Sequence, residues 1–280
     1  MIYIDKLSGE IGINVLTILT NAEFRPIFYD KAYGLLYANG ESLERVNNVV
    51  LWFLPCLFIT ESMFYYIKRV AKNNARELML ILFLISLLAF AESVITHDEL
   101  PWSVDVALTG VVFFGSGFVV KEKLEQRLIR AGNNRKVLLA ACMVVAGMSV
   151  MISQWNGRVD MNSNHYGNYF LFYAAAFSGI ASWVLAALLV NKCNVLSYFG
   201  KNTMIILGLH VQAGLLAFQV FTAVANRLTT SAVVVNDELL LFIVTSLTLI
   251  MLVPFIYLIN RFIPLAAGKT RRTKGSPAQI

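Results

Sequence analysis

The chain is poor in the groups on which soluble enzymes rely. Of its 280 residues only 14% are charged, and it holds three histidines and three cysteines. About a quarter of a soluble domain is charged, so a water-solvated globular body is excluded. Cys56, Cys142 and Cys193 stand in no metal-ligand or redox spacing. A thiol inside an apolar stretch acts as a small apolar side chain, and no metal site is expected. No G-x-S-x-G elbow, Walker loop, H-E-x-x-H or C-x-x-C occurs. The opening residues, Met1 to Lys6, lack a basic region followed by an apolar core and do not read as a signal peptide. No internal repeat or low-complexity tract is visible.

What fills the chain instead is apolar side chains, 58% of the total, with a mean hydropathy of +0.65. They come in blocks at 49–67, 77–95, 102–120, 137–155, 169–190, 203–225 and 239–263. A block of about 20 apolar residues, at about 1.5 Å rise each, crosses a hydrocarbon core of about 30 Å. Helix is the state that satisfies every backbone polar group in lipid. The expected fold is an all-α polytopic membrane protein with seven transmembrane helices.

The connecting segments alternate in charge. Residues 68–76 carry Lys68, Arg69, Lys72 and Arg76. Residues 121–136 carry Lys121, Lys123, Arg127, Arg130, Arg135 and Lys136 against Glu122 and Glu125. Residues 191–202 carry Lys192 and Lys201, and the end carries Lys269, Arg271, Arg272 and Lys274. Between these, 96–101 hold His97, Asp98 and Glu99 with no Lys or Arg, while 156–168 and 226–238 hold one Arg each, Arg158 and Arg227. Basic loops favour the cytoplasm, so the N-terminus is expected outside and the C-terminus inside.

Three regions follow: an extracytoplasmic segment 1–48, a transmembrane domain 49–263 and a basic cytoplasmic tail 264–280. Residues 11–19 are apolar but too short to span, and fit the end of a span or an interfacial helix. A short helix is expected at 31–37, and residues 268–280 read as a disordered basic tail drawn to anionic headgroups. The net charge of +6 belongs to these loops, so the expected partner is the bilayer and not a nucleic acid.

Four ionisable residues lie inside the blocks: Glu61, Glu92, Asp105 and His210. Helical rise puts Glu61 about 9 Å and His210 about 10 Å from the cytoplasmic ends of their spans. At matching depths they could meet in a cytoplasm-facing cavity, with His210 as base and Glu61 as the carboxylate that orients it. Equally, His210 could be a neutral donor in helix packing and Glu61 a structural group. Glu92 and Asp105 sit about 5 Å from the outer ends and are expected to be solvated or structural.

Asn202 or Thr203 is the expected N-cap of the block at 203. Its free N–H groups, beside Lys201, suit a phosphate-like anion, and an ordinary capped helix fits as well. Trp52 opens the first block as an interfacial aromatic. His165 stands in an outer loop that could touch a sugar or be a solvated turn.

Three segments occur in order: Leu51-Trp52-Phe53-Leu54-Pro55-Cys56-Leu57-Phe58, Tyr166-Gly167-Asn168 leading into a block, and Gly200-Lys201-Asn202-Thr203 followed by His210. Together they resemble the acyltransferase type 3 family of bacterial membrane O-acyltransferases, nearest to its fucose 4-O-acetylase-like branch. The resemblance runs from about residue 35 to residue 263. It implies a multi-pass protein of the bacterial inner membrane, with acetyl-CoA or another acyl-CoA as cytoplasmic donor and no metal. It implies a surface or lipid-linked saccharide as acceptor.

Trp52, Asn202 and His210 match recurrent positions of that family. The expected catalytic residues are His210 and Glu61, and the expected substrate-binding residues are Trp52, Lys201 and Asn202. The family also implies further leading spans, the first of which carries a basic residue followed by a histidine. Here the first histidine is His97, in a loop. A truncated, catalytically silent membrane protein or subunit is therefore the alternative expectation, with a homo-oligomer as one way to cover a helix face left exposed. A small-molecule transporter ranks last, because discontinuous helices and paired half-repeats are not visible.

Overall fold

The computed structural model describes residues 24–44, 48–72, 74–95, 99–131, 134–190, 193–228 and 237–269. Among them the chain is helical, without strands. Its α-helices are α1 (Phe24–Tyr37), α2 (Gly40–Glu44), α3 (Phe53–Val70), α4 (Ala75–Ile95), α5 (Val104–Ala131), α6 (Arg135–Asn156), α7 (Tyr169–Val190), α8 (Asn194–Gly200), α9 (Thr203–Leu228) and α10 (Asp237–Phe262). Short 3-10 turns precede α3 and α5 and follow α10.

Seven helical segments are long and apolar enough to cross a membrane: Val49–Val70, Ala75–Ile95, Pro101–Lys121, Arg135–Asn156, Tyr169–Val190, Thr203–Val224 and Glu238–Phe262. They coincide with the seven apolar blocks, and the chain is an all-α polytopic membrane protein. The helix expected at 31–37 is longer, because α1 begins at Phe24. Pro26 does not stop it, since a proline in the first helical turn removes no intrahelical hydrogen bond. Residues 11–19, His97, Asp98, Lys192 and 270–280 lie outside the described residues.

The chain forms two compact units, residues 1–191 and 192–280. In the first, α5 is the central helix: 44% of its span is buried, against 6% to 17% for the other spans. Phe64 of α3, Leu78 and Leu82 of α4, and Val111 and Val112 of α5 form one apolar core. The α6–α7 hairpin is tied across its faces, where Ser149 Oγ donates to the Ala175 carbonyl at 2.9 Å. Elsewhere the spans present apolar side chains outward, Trp183 at 78% exposure and Phe170 at 75% among them. Such surfaces suit lipid rather than water.

Membrane helices approach closely where small residues meet. A Cβ on Gly110 would stand 2.8 Å from Thr60 Oγ1, so α3 and α5 touch at a glycine. Gly110→Ala is expected to lower stability by about 1–2 kcal/mol. Adding Thr60→Ala should recover part of that loss, because the atom displaced belongs to Thr60. Thermal unfolding of the two single variants and the double variant in one detergent reads the coupling, and strict additivity would refute the contact.

In the second unit α9 packs on α10 through Ile205, Ala213, Leu252 and Ile256, all buried.

Candidate functional site

The turn between α8 and α9 gathers the polar groups of the second unit. The backbone N–H groups of Ile205 and Ile206 both donate to the Asn202 carbonyl at 3.1 Å, so α9 starts where the sequence places it. The Asn202 side chain does not cap that helix. Its Nδ2 donates to the Tyr198 carbonyl at 2.7 Å. Its Oδ1 accepts from Asn260 Nδ2 and from Lys269 Nζ, each at 2.7 Å. The ammonium of Lys269 also donates to Asn260 Oδ1 at 2.7 Å.

Asn202 is 5% exposed, so this network is a buried tie between the start of α9, the end of α10 and the turn after it. Lys269 is thus not part of a free tail, as its position in a basic run suggested. The left-handed Gly268 (φ 67°) turns the backbone just before it. Lys201 is exposed at the same turn.

A buried amide that holds an ammonium is costly to remove. Asn202→Ala is expected to destabilise the chain by about 2–3 kcal/mol. Asn202→Asp, which keeps an acceptor for Lys269, should cost less. Midpoints of thermal unfolding for the two variants give the order, and the reverse order would mean that the tie to Lys269 is not what Asn202 supplies.

Two helical turns further on, His210 is half-buried. Its Nδ1 lies 3.1 Å from the Ile206 carbonyl and 3.0 Å from the Leu207 carbonyl. Carbonyl oxygens only accept, so these contacts assign the ring proton to Nδ1. Among the described residues Nε2 has no hydrogen-bond partner. The ring is thus oriented by its own helix, with Nε2 at the end left free of those two carbonyls.

Glu61 and Trp52 belong to the first unit. Trp52 ends the 3-10 turn before α3, is half-buried, and packs against the cluster of Cys56, Val106 and Ala107. Glu61 is exposed on α3, while its neighbour Thr60 faces α5. Within the second unit, the His210 ring is oriented by the Ile206 and Leu207 carbonyls of its own helix.

The first unit holds a second polar cluster, at the end formed by the C-terminus of α4, the N-terminus of α5 and the loop 157–168. Asp105, expected to be solvated or structural, is 2% exposed and so structural. Its place in the first turn of α5 suits a carboxylate, because the helix dipole is positive there. Asp105 interacts electrostatically with Glu92 and Glu99, and Tyr166 interacts in the same way with Asp105 and Cys56. Glu92 Oε2 accepts from Asn164 Nδ2.

The loop is built to insert Tyr166, which is 3% exposed. Asn156 Nδ2 donates to the Tyr166 carbonyl at 2.9 Å, and the Asn168 N–H donates to Asn156 Oδ1 at 2.8 Å. Asn168 Oδ1 then accepts the Phe170 and Leu171 N–H groups and caps α7. Two backbone hydrogen bonds between Asp160 and His165 pin the loop's tip and leave the His165 side chain exposed. Burial pushes the Tyr166 phenol well above its ordinary range, so it stays a neutral hydroxyl. Below it Thr109 and Tyr169 share a hydrogen bond at 3.2 Å, as do Tyr169 and Tyr173. Of this cluster the sequence signalled the Tyr166-Gly167-Asn168 segment, the outer loop around His165 and the acids as isolated charges, but not that they meet.

No curated protein and no solved structure matches the chain. Residues 10–261 match the family described as an acyltransferase domain, nine-tenths of the chain. With its seven membrane-crossing helices, this chain belongs to the acyltransferase type 3 family.

Proposed function

We propose that the chain is a membrane O-acyltransferase that moves an acetyl or similar group from acyl-CoA to a hydroxyl of a surface or lipid-linked saccharide. The observation that carries the reading is the orientation of His210: Nδ1 is occupied by α9's own carbonyls and Nε2 is free among the described residues. In this reading Nε2 takes the proton of the acceptor hydroxyl as that oxygen attacks the thioester carbonyl. The new C–O bond forms, the tetrahedral oxyanion collapses, the C–S bond breaks, and the imidazolium returns the proton to the leaving thiolate. The free N–H groups at the start of α9, with Lys201 beside them, face the donor's phosphates. Asn202 serves indirectly, by holding the Lys269 ammonium near that start.

The same reading places the protein in a bacterial inner membrane, with the basic loops and the C-terminus in the cytoplasm and residues 1–48 outside. In the same reading the acceptor is a fucose-like sugar, as in the fucose 4-O-acetylase-like branch that the motifs resemble.

The test is transfer of label from radiolabelled acetyl-CoA to surface saccharide, in membranes with and without this chain as the sole family member. Label that depends on the chain supports the reading. Its absence, with the chain present in the membrane and acceptor supplied, favours the catalytically silent alternative.

A further inference from the structure

Buried polar atoms without partners gather at one end of the first unit. Among the described residues they include Glu92 Oε1, Asp105 Oδ1, Asn162 Oδ1, Asn164 Oδ1 and the Tyr166 hydroxyl. The two amide oxygens only accept, the two carboxyl oxygens accept when ionised, and the hydroxyl can donate or accept. No Lys, Arg or His among the described residues pairs with Glu92 or Asp105. What the cluster lacks is hydrogen-bond donors. Leaving a buried acceptor unpaired is unfavourable, and several in one place call for a common explanation.

The surroundings narrow the chemistry of the missing partner. Tyr166 packs edge-on against Tyr169, with ring centroids 5.5 Å apart, and against Phe172 at 4.7 Å. Phe90 packs on Tyr169 at 5.1 Å. Aromatic faces beside acid and amide oxygens suit a ligand that is neutral, carries closely spaced hydroxyls and has C–H faces between them. We propose that Glu92, Asp105, Asn164 and Tyr166 form a binding site for the hydroxyls of a saccharide or similar polyol. This affinity for hydroxyls does not depend on the acyltransferase reading.

In the state described, the 157–168 loop covers the site, and access requires the bond from Asn164 to Glu92 to break. Positive φ angles at Gly157 (76°), Asn164 (52°) and Gly167 (65°) mark where that loop turns.

The test uses the full chain in lipid nanodiscs, with no acyl donor. Saturation-transfer NMR is recorded on methyl α-L-fucopyranoside and methyl α-D-glucopyranoside, together with the thermal midpoint of each protein. Wild type is expected to transfer saturation to the ring protons of at least one glycoside. Tyr166→Phe removes only the unpaired hydroxyl, so its midpoint should equal or exceed wild type while the saccharide signal falls about five-fold, the worth of one hydrogen bond. Asp105→Asn should lower the signal as well.

No saturation transfer from wild type overturns the site. So does a signal unchanged in both variants, or stabilisation by sodium or calcium ions alone. Saccharide binding without acetyl transfer would sink the acyltransferase reading and keep the site. Acetyl transfer with Asp105→Asn and Tyr166→Phe binding and reacting like wild type would do the reverse.

Discussion

His210→Ala is expected to lower transfer of label from acetyl-CoA by about 100-fold or more, since a positioned general base contributes about 10²–10⁴. The fold should survive, because the carbonyls that Nδ1 touches belong to α9 itself. The sharper variant is His210→Asn. Its amide nitrogen reproduces the donor at Nδ1 and can bond the same two carbonyls, but it offers no base where Nε2 stood. If His210 is the base, His210→Asn matches wild type in thermal midpoint and His210→Ala in activity. If His210 only packs helices, His210→Asn restores whatever activity His210→Ala lost, and the catalytic assignment falls. Glu61→Gln belongs in the same series. With the ring oriented within α9, loss of the exposed Glu61 charge should cost far less activity than loss of the imidazole.

The contrast between His210 and Asp105 shows what a linear reading of spans can reach. The seven crossings were legible because each is a long uninterrupted apolar block, and lipid leaves such a block no state but helix. Helical rise gives depth along one axis and nothing about what lies beside it. Depth alone therefore leaves Asp105 either solvated or structural, and its burial to 2% exposure decides for the structural reading.

Lys269 was missed for a related reason. Its partners Asn202 and Asn260 are 67 and 9 residues away in sequence, and its neighbours beyond position 270 are those of a basic tail. The signal that could have found it is Asn260, a lone amide near the end of an apolar helix, which needs a partner. The start of α9 at residue 202 was legible because Gly200 to Thr203 breaks the apolar pattern. That the Asn202 side chain turns away from the cap was not, because the competing ammonium comes from the far side of α10.

Gly167→Ala is expected to destabilise the chain by about 3 kcal/mol, from two independent costs. The backbone at Gly167 has φ 65°, where an L-residue with a Cβ is disfavoured by about 1–2 kcal/mol. A Cβ there would also stand 2.6 Å from the Asn156 carbonyl oxygen. That oxygen cannot easily retreat, because the Asn156 side chain is held by the Tyr166 carbonyl and the Asn168 N–H. Gly268→Ala supplies the control: its φ is 67°, and no atom lies within 4 Å of the added Cβ, so it bears the conformational cost alone. Thermal unfolding should therefore rank wild type above Gly268→Ala and Gly268→Ala above Gly167→Ala. Equal losses would mean that the loop yields to the methyl without cost. A larger loss at Gly167 should come with a functional mark as well, since the same turn seats Tyr166 under the loop and Asn164 against Glu92. Saccharide binding would then fall in Gly167→Ala at temperatures where the chain is still folded, whereas Gly268→Ala should leave it unchanged.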